Sequence, residues 1–516
     1  MQKSKWKQGL NAVYVISAVI TVALSLWSII WHKSFSAAAS ALMSGLKSNF
    51  SWLYLGVALF FVLFSLILAF SPWGKIKLGR DDEKPEYSTI SWFAMLFGTG
   101  MGIGLVFWAI AEPISHYVTP MAGIEPQTAE AADFAMRSCF MHWGLHPWGS
   151  YTVMGLGLAL FQFRKGESAM TSSLLRPLWG DRRFARRLGT GIDVFTVVLT
   201  TMGIATSLGM GCLQICEGMN YLFGIPSNMW VWLTVIAVIA VIYLQSAISG
   251  IGRGIKMLGD LNLVLFVGLM ILGVIVGPKT DMLMRGLRGL RDYALNFFQD
   301  SLRLSSNGDS TWINNWRVFY WAWWLSWAPF VGIFIARISR GRTVREFVLG
   351  VMLVPTLVSI LWFTVFGTMA LDAAGSFSTQ ELLSMAASPQ TALFRVFNEY
   401  PLTRVLSGIA ICLLITFFVT SANSATFVLA MLSSDGELEP PNRKKVFWGV
   451  LIAIVAFALI MSGGIDVIQN ISISIAFPYL FVLLLICVSL VRALRRDGKK
   501  KSKCSGEPMN PPEEES

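Results

Sequence analysis

Six of the chain's 20 tryptophans fall between Trp312 and Trp327. In the run Trp316-Arg-Val-Phe-Tyr-Trp321-Ala-Trp323-Trp324-Leu-Ser-Trp327-Ala-Pro329-Phe330, positions 321, 324 and 327 share one helical stripe. A second cluster reads His142-Trp143-Gly-Leu-His146-Pro147-Trp148-Gly-Ser-Tyr151. Indole and phenol faces attract cations, and a desolvated cation–π contact can be worth about 2 kcal/mol or more. The chemistry these residues suggest is a cage for a quaternary ammonium. A third feature is Gly98-Thr-Gly-Met-Gly-Ile-Gly104, with a glycine at every second position inside an apolar run. Each glycine weakens a helix by about 1 kcal/mol relative to alanine, so the string marks either close helix packing or unwound backbone that faces a ligand. No strand precedes it, which excludes a dinucleotide loop. His142 and His146 lack an adjacent glutamate and a third ligand, so no metal centre is expected of them. Glu112-Pro113 reads as either a structural carboxylate or a proton carrier. No nucleophile–base pair stands out, so an enzyme is not expected.

The elements that carry these residues are set by composition. The 516 residues are 54% hydrophobic and 14% charged, against about 25% charged in soluble domains, and the mean hydropathy is +0.60. Apolar runs of about 20 residues, the length of a membrane-crossing helix, fall near 11–31, 51–72, 89–115, 134–163, 190–222, 229–249, 258–277, 315–338, 344–371, 404–433, 445–464 and 469–491. The expected fold is therefore an all-α polytopic membrane protein with twelve spans, and Gly98–Gly104 and Pro329 suggest a pair of interrupted helices in spans 3 and 8.

The net charge of +11 does not point to nucleic acid, because the 41 Lys and Arg lie almost wholly between the runs. The loop after span 4 carries seven of them, whereas those after spans 3, 5 and 11 carry none. Positive-inside logic places both termini in the cytoplasm. The basic segment 278–312 breaks the alternation, and its apolar residues at helical spacing suit an amphipathic helix on the membrane surface. A further outer-loop helix is expected at 378–399, and disorder at 499–516. The six cysteines show no disulfide or metal spacing.

Gly-Met-Gly-Ile-Gly-Leu-Val-Phe-Trp at 100–108, Ala-Glu-Pro at 111–113, His-Trp-x-x-His-Pro-Trp at 142–148, Phe-Tyr-Trp-Ala-Trp-Trp at 319–324 and Ala-Arg-Ile-Ser-Arg-Gly-Arg-Thr-Val-Arg-Glu at 336–346 resemble the betaine/choline/carnitine transporter family. The resemblance covers nearly the whole chain. It implies two peripheral helices (1–88), a first LeuT-type inverted repeat (spans 3–7, 89–277), the surface helix (278–312), a second repeat (spans 8–12, 313–491) and a basic, then acidic cytoplasmic tail (492–516). It also implies a homotrimer, in contact with membrane lipid, in the bacterial inner membrane.

Carried over by position, the resemblance makes Trp143, Trp148, Tyr151 and Trp324 the central aromatic box. Trp321, Trp323, Trp327 and Phe330 become access-path aromatics. Gly100, Met101 and Gly104 belong to unwound backbone that receives the substrate's other end. Choline-selective members resemble this stretch but carry Asp where Gly104 stands, so Gly104 favours a zwitterion, with glycine betaine ahead of carnitine or ectoine. No cofactor is implied. The implied coupling ion is sodium, held by Thr420, Ser421 and backbone near Phe417, Gly98 and Met101. Sodium-independent exchangers of the family resemble a pattern with Arg at the place of Asn262. A second sodium site at Thr200 and Phe330 is less well matched, because Ile204 stands where a Thr is expected. The expected function is sodium-coupled import of a trimethylammonium zwitterion. The alternatives are a sodium-independent or proton-coupled carrier or exchanger of carnitine, choline or a related solute and, more remotely, a ligand sensor.

Overall fold

The computed structural model describes residues 11–504 apart from Met101, Asp181, Gly250 and Ile251. Asn11 caps the first helix, α1 (Ala12–Ile30), through its side-chain oxygen on the Tyr14 N–H. Next comes α2 (His32–Phe70), whose 39 residues begin well before the apolar run at 51–72. The glycine-rich span is two helices, α3 (Thr89–Gly100) and α4 (Ile103–Val118). The span expected as continuous over 134–163 is also divided, into α5 (Ala129–Trp143) and α6 (Leu145–Ala159), with the break at Gly144. Two single-turn helices, α7 (Thr171–Leu174) and α8 (Arg176–Trp179), lead into α9 (Arg183–Phe223), which ends on Gly224 in the left-handed region.

Helices α10 (Met229–Ser249), α11 (Gly252–Val276) and α12 (Lys279–Leu302) follow. After α13 (Thr311–Asn315) comes α14 (Arg317–Arg337), which stays helical through Pro329. The second interruption therefore falls in span 4 and not in span 8. Proline removes one hydrogen bond, but neighbouring helices can hold the backbone straight. A Thr343/Glu346 capping box starts α15 (Val344–Ala373).

The segment 378–399, expected as one helix, forms α16 (Thr379–Ala387) and α17 (Pro389–Phe397), because Pro389 restarts the chain at a first helical position. The remaining helices are α18 (Thr403–Leu432), α19 (Asn442–Met461) and α20 (Gly464–Cys504). The last runs through 499–504, where disorder was expected, while 505–516 lie outside the described residues.

Ten of the described helices are long and apolar enough to cross a membrane. Burial separates their roles. In its most apolar window α9 is 94% buried, against 28% for α10 and 22% for α11. A helix apolar all round is either core or lipid-facing, so α9 is a central strut, while α10 and α11 present apolar side chains outward. The strut packs against α18 and α19, and α14 packs against α6 and α20. Helix α12 lies against α5, α15 and α2, with Met282, Gly286, Gly289 and Tyr293 buried and Leu283, Leu287 and Leu290 exposed. Its Asp300 receives Arg137 Nε of α5 at 3.1 Å.

At one end of the bundle, residues 76–86 pair with the turn after α14. The Leu78 N–H donates to Arg342 O, Gly341 N–H to Leu78 O and Val344 N–H to Ile76 O, at 2.8–2.9 Å. Glu83 accepts from Arg340, and the Arg80 N–H together with that guanidinium holds the Glu83 carboxyl below its ordinary range. A π-helical turn, Leu160–Arg164, follows α6 and ends in a hub of contacts. Arg164 donates to Asp497 (2.7 Å), Asp81 (2.9 Å) and the Gly79 carbonyl (3.0 Å), and Lys165 also donates to Asp497. Arg164→Met should lower stability by about 2 kcal/mol, the order of lost hydrogen bonds to a charged group. Thermal unfolding of detergent-solubilised protein checks this, and an unchanged midpoint would show the hub to be dispensable.

Candidate functional site

The two breaks and the aromatic run meet in one place. Between α3 and α4, Gly102 is extended (φ −150°, ψ −159°), and helix resumes at Ile103. Gly104 therefore lies in the first turn of α4 and not in unwound backbone as expected from the glycine string. The interruption is short because Ile103 onward can form a helix of strongly buried apolar residues. Gly104 is still constrained: a Cβ there would stand 2.6 Å from Trp323 Cη2 and 3.3 Å from Trp143 Cη2. The Leu105 N–H already donates to the Gly102 carbonyl at 3.1 Å, while the N–H groups of Ile103 and Gly104 have no intrahelical acceptor, as at any helix start, and the macrodipole favours an anion there. Met101 lies outside the described residues. Gly98 and Gly100 belong to the last turn of α3.

The break at Gly144 is filled from another helix. Leu145 N–H donates to Tyr293 Oη at 3.1 Å, and a Cβ on Gly144 would stand 2.5 Å from that oxygen and 2.4 Å from the Phe140 carbonyl. Tyr293, Phe297 and Ser301 form an i, i+4, i+8 stripe on α12. Phe297 packs on the His146 ring with centroids 5.0 Å apart, and Ser301 Oγ lies 3.0 Å from His146 Nε2. The break thus sends the two histidines apart. His146 faces α12, while His142 Nδ1 lies 2.7 Å from Glu112 Oε1.

The aromatic residues form two groups. Trp143 meets Trp324 edge-to-face at 4.9 Å, and Trp148 meets Tyr151 edge-to-face at 5.4 Å. No ring contact joins the two pairs among the described residues. Trp324 stacks on Trp323 at 4.7 Å, and its indole N–H donates 3.0 Å to the His142 carbonyl, which the break at Gly144 leaves free. Trp321 is buried against His146 (4.6 Å, interplanar 15°), and Trp323 is buried over Gly104. Trp327 is partly exposed, donates to Gly203 O of α9 at 2.9 Å and abuts Phe330 at 5.5 Å.

Thr420 and Ser421 of α18 lie across from the α3–α4 break, with Ser421 Oγ 3.9 Å from the point where a Gly102 Cβ would stand. Thr420 Oγ1 accepts from Asn262 Nδ2 at 3.0 Å and donates to the carbonyl of Thr416 (3.0 Å) or Phe417 (3.2 Å). Thr200 is fully buried and donates to Thr196 O at 2.7 Å, beside a buried Ile204.

Several residues beyond those expected from the sequence gather on Glu112, for which a structural or a proton-carrying role is expected. Glu112 is fully buried and accepts from Trp143 Nε1 at 2.9 Å and from the Tyr320 hydroxyl, and His116 Nε2 lies 3.3 Å away. Glu112, His116 and Cys139 offer ligand-type atoms within 4.8 Å of one another, a grouping that the H-x-x-x-H spacing does not reveal. Tyr320 precedes Trp324 by one turn, which was the available signal for it. Tyr293 and the break at Gly144 had no signal beyond a glycine amid aromatics.

A bundle of long apolar helices, two of its crossings interrupted beside a buried aromatic cluster, has the architecture of a polytopic membrane protein. Residues 12–499 match the family described as "BCCT, betaine/carnitine/choline family transporter". The chain is similar to the glycine betaine transporter OpuD of Bacillus subtilis, at 44% identity over 97% of this chain and 98% of the relative. It is also similar to a probable glycine betaine transporter of Desulfitobacterium hafniense, at 41% over 94% of this chain and 98% of the relative. A third relative is an ectoine/hydroxyectoine transporter of Virgibacillus pantothenticus, at 39% over 95% of this chain and 97% of the relative. The chain belongs to the betaine/carnitine/choline transporter family: it is a multi-pass membrane transporter and not an enzyme.

The contact between α12 and the break generates a test. Tyr293→Phe keeps the ring and removes the acceptor for the Leu145 N–H, so it should cost about 1–3 kcal/mol, the range for a buried donor left unsatisfied. Thermal unfolding compared with wild type measures it, and no loss would mean that the N–H finds another partner.

Proposed function

We propose that the protein imports a trimethylammonium zwitterion, glycine betaine first, by sodium symport. The observation that carries this reading is the edge-to-face pair Trp143–Trp324 standing beside the start of α4 at Gly104. Aromatic faces suit the methylated cation, and the unpaired N–H groups of a helix start suit a carboxylate. Trp148 and Tyr151 complete the box, with Gly100, Met101 and Gly104 at the carboxylate end and Trp321, Trp323, Trp327 and Phe330 along the access path. The names of the three relatives support a zwitterionic compatible solute. A Cβ on Gly104 would stand 2.6 Å from Trp323 Cη2, so the Asp of choline-selective members would require that ring to shift, which supports the zwitterion reading.

Sodium is held by Thr420, Ser421 and backbone oxygens near Phe417, Gly98 and Met101. Oxygen ligands suit such a hard cation, and the nearness of Ser421 to the broken backbone supports the reading. Thr200 and Phe330 form the weaker second site. Counting α3–α4 and α5–α6 as one crossing each gives twelve spans, arranged as two peripheral helices and two LeuT-type repeats (89–277 and 313–491). Both termini face the cytoplasm of a bacterial inner membrane, and the assembly is a homotrimer.

Uptake of radiolabelled glycine betaine into proteoliposomes tests the whole reading. An inward sodium gradient should drive accumulation, and replacing Thr420 and Ser421 together by Ala should abolish the stimulation. Equal uptake in potassium and sodium buffers would sink sodium coupling, and no uptake in either would sink the substrate. Trp324→Ala or Trp148→Ala should weaken betaine binding by about 2 kcal/mol, the value of a desolvated cation–π contact. Unchanged affinity in both variants would move the cage elsewhere.

A further inference from the structure

We propose that Glu112 is the positioning residue of the aromatic cage: its buried carboxylate orients Trp143 directly and Trp324 through Tyr320, whose hydroxyl it accepts and whose ring abuts Trp324. The proposal rests on the cage reading given under Proposed function.

A carboxylate only accepts hydrogen bonds, and the Trp indole N–H only donates. Glu112 Oε2 takes the Trp143 N–H at 2.9 Å and the Tyr320 hydroxyl. Oε1 faces His142 Nδ1 at 2.7 Å and His116 Nε2 at 3.3 Å. Facing an acceptor, each of those ring nitrogens carries the proton. Among the described residues the other nitrogens, His142 Nε2 and His116 Nδ1, have no hydrogen-bond partner, so Glu112 is the side chain that both rings bond. Four donors from α4, α5 and α14 converge on one carboxylate.

The consequences reach both indoles of the Trp143–Trp324 pair. A hydrogen bond at the N–H fixes which way a packed indole is turned, and the Trp143 N–H is held by Glu112. The Trp324 N–H is claimed by the His142 carbonyl at 3.0 Å. The His142 ring is stacked on Tyr320 (4.5 Å, interplanar 19°), and Tyr320 in turn abuts Trp143 (5.7 Å) and Trp324 (5.8 Å). A cage binds well when its walls already stand in the bound geometry. Stability alone does not account for this residue, since burying a charge in a core is often no better than a well-packed apolar side chain.

Binding of radiolabelled glycine betaine to the purified full-length protein, with uptake kinetics in proteoliposomes, tests the proposal. Glu112→Gln should weaken betaine binding at least about tenfold, the scale of one hydrogen bond to a charged group. The apparent KM should rise in step, with kcat kept within about twofold, because the cage binds ground and transition states alike. Trp143→Phe keeps a ring and removes the N–H, and should weaken binding in the same direction. The loss in the double variant should fall short of the sum of the two single losses, since both changes act on the Glu112–Trp143 bond. Additive losses, or a lost kcat with unchanged affinity as a proton carrier would give, overturn the proposal. Should Glu112→Gln not fold, Trp143→Phe decides alone: unchanged affinity overturns it. Failure of the cage reading looks different, because wild type and Trp324→Ala would then bind betaine equally.

Discussion

Backbone that leaves the helical state inside an apolar bundle must find hydrogen-bond partners away from water, and this requirement organises the centre of the molecule. An unsatisfied amide in such surroundings costs several kcal/mol. At Gly144 the debt is met from two directions: Tyr293 of α12 accepts from the Leu145 N–H, and the Trp324 indole donates to the His142 carbonyl. The second bond holds the Trp324 indole. One helix break therefore supplies an acceptor that a continuous helix would have withheld, and the aromatic site is built partly from main-chain groups.

The break also separates roles that sequence proximity would merge. His142 and His146, one turn apart, would share a face of an unbroken helix. Instead His142 turns inward to Glu112 and His146 outward to Ser301 and Phe297. The amphipathic helix α12 is consequently more than a surface decoration. Its inward stripe of Tyr293, Phe297 and Ser301 touches the start of α6 at Leu145 and His146.

Much of this was readable beforehand. Long apolar runs and the alternation of basic loops are consequences of burying helices in hydrocarbon, and they need no tertiary information. The break at Gly98–Gly104 was visible because glycine's helix penalty is intrinsic to the residue. Pro329 misled for the opposite reason: the penalty of one lost hydrogen bond was overridden by packing, and α14 runs straight through it. Gly144 had only a single glycine to announce it, and its break depends on Tyr293, 149 positions away in the chain.

By itself, then, the sequence determined the helical membrane class, the family motifs and the residue types that could hold a methylated cation, because hydropathy, charge placement and aromatic content are local properties. Tertiary structure alone decided which of those residues face one another. Trp143 and Trp324 meet, Trp321 turns to His146, Ser421 approaches Gly102, and Glu112 gathers donors from three helices. Such meetings depend on helix rotation and crossing, which are fixed by packing between elements far apart in the chain and leave no periodic trace within either one.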